Sequence, residues 1–400
     1  NAALGPLAGV PFAVKNLFDL KGVKTLAGSK LRQSADPATA DATLVQRLAG
    51  AGAITLGALN MGEFAYDFTG ENAHYGPSRN PHDPSRMSGG SSGGSGAAVG
   101  GGLAPLSLGS DTNGSIRVPS AFCGLFGLKP TYGRLSRAGT FPFVDSLDHL
   151  GPMARSAADL ALAFDALQGP DPLDPVCSPD ASFVDSLSAL DDVPQLRVAR
   201  LGGWFRGQGD PGSDEAADKV AEALGAGEDV EISGAASARA AAFIITNVEG
   251  AALHLDDVRV TPELYDPFVR DRLMAGALVP GVHYVRAQRV RLRFQQNAAE
   301  VFERFDLLIA PTTPMTAPPI GADTAILNGA SAPLRPNIGI YTQPISFIGL
   351  PVVSCPIWSG ALPYGVQLIA PAWREDIALA AAHHLQRSGV CASIIGGGAS

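Results

Sequence analysis

Cysteine is scarce in this chain of 400 residues: Cys123, Cys177, Cys355 and Cys391 are its four, and no two form a CxxC pair. That argues against zinc-ribbon and dithiol chemistry and favours reduced, buried thiols over a disulfide scaffold, so a cytoplasmic address is expected. The seven histidines include no HExxH, and the adjacent His383 and His384 point to different sides of a helix, so no metal site is expected. No uncharged apolar run reaches the roughly 18 residues that a membrane span needs. The opening segment is apolar, but prolines interrupt it and lysine follows the apolar part instead of preceding it, unlike a signal peptide. Charge is sparse as well. Charged residues make up 17%, and 38 acids against 29 bases give a net charge of −9 without long runs of either sign. Neither nucleic acid nor an anionic membrane is an expected partner.

What is present is a hydrophobic fraction of 46%, enough for a large core. No repeat at a solenoid period is visible, and the expectation is one α/β body over residues 1–400. Periodicity predicts a helix over Asp41–Ala51 leading into a strand at Ala53–Leu56. Further strands are predicted at Leu103–Leu108, Leu196–Leu201, Leu307–Ala310, Val352–Ile357 and Val366–Ala370. Helices are predicted at Ala157–Leu167, Asp214–Leu224, Val282–Phe302 and Asp376–Leu385, with the arginines of the third mostly on a solvated face.

Glycine (47) and proline (31) concentrate in two regions, Ser88–Gly102 and Ala310–Pro336. The first, SGGSSGGSGAAVGGG, has the composition of a flexible linker, yet it runs directly into a small-residue helix and an apolar strand. A phosphate loop is excluded because the region contains no lysine, and the dinucleotide fingerprint fails at Val99. Gly89-Gly-Ser-Ser-Gly93 matches a GxSxG nucleophile elbow, but that motif needs a preceding hydrophobic strand, and Arg79–Arg86 reads as a proline-broken loop. A second polar loop, Gly109-Ser-Asp-Thr-Asn-Gly-Ser115, follows an apolar strand. The backbone N–H groups of Thr112, Asn113, Gly114 and Ser115 can converge there on one point beside a hydroxyl, an oxyanion-binding nest. The same loop also reads as an ordinary strand-to-helix turn, and its residues alone do not choose between the two.

The combination GGSSGGSGAAV and GSDTNGSIRVPSAFCGLFGLKPTYGRLS resembles the amidase signature family, a fold with a large mixed twisted sheet flanked by helices on both faces. The resemblance extends through Pro6–Asn16, Asn60–Phe64, Ser146–Pro152, Pro311–Pro314 and Gly349–Pro351. It implies that Ser115 is the nucleophile, that Ser91 follows a cis peptide and relays the proton, and that Lys15 is the base. Family members carry helical sequence ahead of such a start, so N-terminal helices beyond this chain are expected. The chemistry needs these residue types: a serine hydroxyl attacks only when a base takes its proton. A lysine becomes that base when burial among neighbours such as Pro11, Phe12 and Val14 depresses its pKa. The scheme calls for no metal and no organic cofactor.

Within the family the resemblance narrows, through Lys15–Asp19, Ala65–Phe68, Leu201–Phe205, His254–Asp257 and Tyr341–Phe347, to a subgroup that releases ammonia from carboxylated biuret in cyanurate breakdown. This implies a small carboxylated urea or biuret as substrate and a small helical companion subunit, in a homo-dimer or hetero-oligomer. Arg272 matches an arginine that holds a substrate carboxylate, and Gly90 and Met61 are the other substrate-binding candidates. The alternatives are the glutamine amidase component of a tRNA-dependent amidotransferase and a broad small-amide amidase. Gly339 stands where the amidotransferase carries an acid for an amino group, and Val260 near its pocket tyrosine.

Overall fold

In the computed structural model, which describes residues 5–191 and 195–397, ten strands pair into one mixed sheet and two more form a separate hairpin. The strands are β1 (Pro11–Lys15), β2 (Ile54–Leu59), β3 (Leu106–Asp111), β4 (Phe126–Lys129), β5 (His149–Ala154) and β6 (Val198–Leu201), then β7 (Asp229–Val230), β8 (Leu307–Pro311), β9 (Thr324–Leu327), β10 (Ala330–Pro333), β11 (Val352–Ser359) and β12 (Leu362–Ile369). Their order across the sheet is β2-β1-β3-β5-β4-β11-β12-β8-β6-β7, with β9 and β10 as the hairpin. Parallel pairs occupy both ends: β1 lies parallel to β2 and β3, and β6 to β7 and β8. The central pairings are antiparallel. Strands β3, β4, β5 and β8 are buried along their whole length; β8 is an unbroken apolar run, whereas β3, β4 and β5 each bury one ionisable residue at an end, Asp111, Lys129 and His149.

Eleven α-helices are described: α1 (Thr43–Gly50), α2 (Gly93–Gly100), α3 (Arg117–Phe122), α4 (Ala157–Leu167), α5 (Pro211–Ala223) and α6 (Ala235–Val260), then α7 (Pro267–Ala277), α8 (Gly281–Phe302), α9 (Leu334–Asn337), α10 (Gln343–Phe347) and α11 (Glu375–Arg387). Their starts follow local chemistry. Ser156 caps α4 by accepting from Asp159 N, and Asp210 and Asp266 cap α5 and α7, each with proline at the next position. The Gly/Ser run is no linker. It forms α2, where Ser95 donates to Leu108 O at 3.1 Å and Ser107 of β3 donates back to Ser95 O at 3.2 Å. A Cβ at Gly94 would stand 2.5 Å from Asn60 O, so glycine permits the close approach.

The foreseen elements are present with shifted ends, and the strand after α1 runs three residues further, to Leu59 at the sheet edge. The strands β1, β4, β5, β7, β9 and β10 and the helices α3, α6, α7, α9 and α10 were not foreseen. Among the four arginines expected on the solvated face of α8, Arg286, Arg289 and Arg293 are exposed. Arg291 departs from that expectation: it reaches inward and donates to Ser146 O at 2.8 Å.

Candidate active site

Parallel pairing of β1 with β3 brings two sequence-distant motifs together. Val14 sits opposite Leu108, so Lys15 and Ser110 emerge side by side at the ends of these strands. Lys15 is fully buried, and its Nζ donates to Ser91 Oγ at 2.5 Å and to Ser110 Oγ at 2.8 Å. Burial brings its pKa down from 10.5 to about 7, against the opposing pull of Asp148, Asp111 and Asp67. The Gly90–Ser91 peptide is cis, the geometry that the resemblance implied. Ser110 was not foreseen as a partner of Lys15, although it lies inside the same motif as the nucleophile.

Beyond β3 the chain turns through Thr112–Ser115 into α3. Asp111 anchors the turn, accepting from Ile116 N at 3.3 Å and from Arg117 Nε at 2.9 Å, with both side chains fully buried. Burial alone would raise the Asp111 pKa, but the Arg117 charge and its hydrogen bonds outweigh that and hold the carboxyl below the usual range. Arg117 also donates to Gln367 Oε1 at 2.6 Å and Thr342 O at 3.2 Å, tying the turn to β12 and to the approach to α10. Thr112 Oγ1 donates to Asp148 Oδ1 at 2.6 Å, and Thr342 Oγ1 donates to Asn113 O at 2.7 Å. Gly114 has φ +142, and a Cβ there would lie 2.3 Å from Thr342 Oγ1. Among the described residues the backbone N–H groups of Thr112, Asn113, Gly114 and Ser115 have no acceptor, which is the property of a nest open to a ligand oxygen. Asp148, whose pKa is raised by burial, was also missed, although it stands in the Ser146–Pro152 segment that carries the resemblance.

Ser115 opens onto a cavity of about 430 Å³. Its Oγ makes no hydrogen bond among the described residues and lines this space with Thr112 and Asn113, opposite Phe243, Phe268 and Arg272. Arg272 lies over the Tyr66 ring, 3.8 Å from its centroid, and donates to the main-chain oxygens of Tyr66 and Phe268. It pairs with no carboxylate among the described residues, and burial lowers its pKa. Arg335, also on the cavity wall, differs: it is neutralised by Asp67 at 3.0 Å and by Glu71.

Gly90 and Met61 do not line the cavity. Met61 is 1% exposed within the main core, and Gly90 is packed so closely that a Cβ would lie 2.7 Å from Gly70 N. Val260 is 79% exposed at the end of α6, so it is no pocket position. At Gly339 a Cβ would stand 2.6 Å from the Phe68 ring, so that ring occupies the room an acid would need. The elbow alternative requires a histidine near the serine, but His254 packs on Phe64 and His383 faces Asp191. Neither lines the cavity.

A buried lysine beside the β3–α3 nest, at the end of a mixed sheet, places the chain among the amide hydrolases with a serine nucleophile. The amidase family model matches residues 1–379, and the chain belongs to that family. It is 56% identical over 392 residues to AtzE of Pseudomonas sp. (strain ADP), a component of 1-carboxybiuret hydrolase, covering 97% of this chain and 85% of the relative. It is 40% identical to a component of the glutamyl-tRNA(Gln) amidotransferase of Thermus thermophilus, covering 93% and 82%. Among solved structures, a protein complex described as vestigial and as revealing the origins of an s-triazine catabolic enzyme superposes with TM-score 0.96 at 55% identity, covering 98% of this chain and 86% of that one. The corresponding glutamyl-tRNA(Gln) amidotransferase component of Thermotoga maritima superposes with TM-score 0.85 at 30% identity, covering 96% and 84%. Among the described residues, no helix is long and apolar enough to cross a membrane.

Proposed function

We propose that this chain hydrolyses a small carboxylated urea or biuret, 1-carboxybiuret being the best candidate, and releases ammonia through a Ser115 acyl-enzyme. The observation that carries this reading is Arg272, a guanidinium without a carboxylate partner on the wall of the cavity that Ser115 opens onto. The high identity to a component of 1-carboxybiuret hydrolase supports it.

In this reading Ser115 Oγ attacks the terminal carbonyl while its proton passes through Ser91 to neutral Lys15. The oxyanion takes hydrogen bonds from the N–H groups of residues 112–115, and the relay returns the proton to the departing ammonia. Water then attacks the acyl-enzyme with the relay again acting as base. Arg272 holds the distal carboxylate through parallel N–H bonds, which a lysine ammonium cannot reproduce. A small helical companion subunit belongs to the same reading, by analogy with the complex formed by the solved relative. The whole described chain acts as one catalytic body.

Ammonia release across carboxylated biuret, biuret, glutamine and simple aliphatic amides tests the reading. Arg272→Ala is expected to lower kcat/KM for carboxylated substrates by roughly 30-fold to several thousand-fold, the loss of a charged contact of about 2 to 5 kcal/mol. Neutral amides of similar size should keep their rates. Parallel losses on charged and neutral substrates would make Arg272 structural, and glutamine as the preferred substrate would replace the ureide reading with the amidotransferase one.

A further inference from the structure

We propose that the side-chain amide of Gln343 is a specificity determinant: its N–H donates to the substrate carbonyl that Ser115 does not attack. The proposal rests on the ureide reading of the site and adds to it the group that meets the inner carbonyl. Gln343 borders the cavity that Ser115 opens onto and is 1% exposed. The preceding Thr342 holds Asn113 O at 2.7 Å, so Gln343 stands next to the nest. Its own N–H donates to Gly339 O at 3.0 Å, which pins the backbone.

Arg239 of α6 fixes the orientation of the amide, because its Nε donates to Gln343 Oε1 at 2.8 Å. A guanidinium has no acceptor, so the amide oxygen must face it and Nε2 must face away. Nε2 meets no acceptor among the described residues, and it is not sealed off: the small accessible surface of Gln343 includes this nitrogen. The other bonds of Arg239 go to Pro336 O at 2.7 Å and Asn337 Oδ1 at 2.9 Å, and it pairs with no carboxylate among the described residues. Its charge polarises the amide and strengthens the free N–H as a donor.

A nearly buried N–H without an acceptor is costly, and a ligand oxygen removes the cost. In a carboxylated biuret, Ser115 attacks the terminal carbonyl and Arg272 holds the carboxylate at the other end. The carbonyl between them takes no part in bond breaking, yet its oxygen loses water in the cavity and needs a donor. Gln343 supplies one. A monofunctional amide has hydrocarbon at that place and leaves Nε2 unmet. A site built around a substrate polar group rejects the analogue lacking it more strongly than an apolar wall rejects a small change of size.

Biuret, malonamide and isovaleramide all release ammonia on hydrolysis. The first two carry a second carbonyl, and the third has an isopropyl group of the same shape in its place. The wild-type chain is expected to favour both dicarbonyl amides over isovaleramide at least tenfold in kcat/KM. Gln343→Met should lower that ratio by about 10- to 100-fold, and Gln343→Glu, which turns an acceptor on an acceptor, should lower it as well. Arg239→Met frees the amide to turn and should shrink the ratio several-fold, whereas Arg239→Lys keeps a pure donor and should retain most of it. Thermal unfolding near the wild-type midpoint shows that each variant is folded. An unchanged ratio in Gln343→Met, or a wild-type chain without preference for the dicarbonyl amides, overturns the proposal. If the wild-type chain hydrolyses glutamine but none of the three probes, the ureide reading falls first and takes this proposal with it.

Discussion

A lysine that titrates near 7 is half neutral at neutral pH, whereas an ordinary lysine is neutral in only about one molecule in three thousand. Burial of Lys15 accounts for that change, so acylation of Ser115 should acquire the same dependence. Because the base works as the neutral amine, kcat/KM is expected to climb with pH through about 7 and then level off. A profile flat between pH 5 and 9 would remove Lys15 as the base, and Ser115→Ala and Lys15→Ala should each lose several orders of magnitude in kcat. The same residue links pH to stability. Between about 7 and 10.5 the unfolded chain binds the proton that the folded chain has released, so stability rises with pH across that window, by at most ~5 kcal/mol. Comparing urea unfolding of the wild type with Lys15→Met isolates this contribution. The wild type should gain on the variant as pH rises from 7 to 10, and a constant difference would mean that Lys15 is not depressed.

The turn between β3 and α3 works as a unit, because Asp111, Asn113 and Gly114 are each fixed by groups from other elements. Gly114→Ala would place its Cβ 2.3 Å from Thr342 Oγ1 at a φ that disfavours side chains. It should cost about 1 to 3 kcal/mol in stability and at least tenfold in activity. Adding Thr342→Ala should recover part of both losses, and strictly additive effects would show that the contact is not the cause. Asp111→Asn leaves Arg117 buried without its charge partner and should destabilise by about 3 to 5 kcal/mol in thermal or urea unfolding.

Elements of this kind were unevenly legible. The Val352 and Val366 strands announced themselves as apolar runs. Strand β5 reads HLGPMA, and its Gly151 and Pro152 argue for a turn. The sheet instead needs the glycine, because a Cβ at 151 would lie 2.1 Å from Leu128 O. Helix α6 has buried alanines spread around it and little segregation of apolar from polar residues, so no clear stripe marked its 26 residues.

For the whole molecule, the residues proposed for the relay could be named because they lie in contiguous motifs, and the burial of Lys15 followed from its apolar neighbours. The cavity walls were not, since Phe243, Thr246, Phe268 and Asp323 meet only through tertiary packing. Lys15, Ser91, Ser110, Asp111–Ser115, Arg117 and Asp148 all precede position 150, whereas the far wall comes from α6, α7, the β10–α9 connection and Gln343. Phe243→Ala or Phe268→Ala should therefore reorder amide preferences while Ser115 labelling by a phosphonofluoridate stays within about threefold of wild type, and a matching fall in labelling would deny this separation. Reactivity and much of taste are thus inherited through different stretches of one gene, with Tyr66, Phe68 and Phe143 the parts of the wall that the first stretch supplies. Substitution limited to wall residues such as Phe243, Phe268 and Asp323 leaves the reacting groups untouched, so a lineage, or a laboratory library, can drift from one amide to another without passing through inactive ancestors.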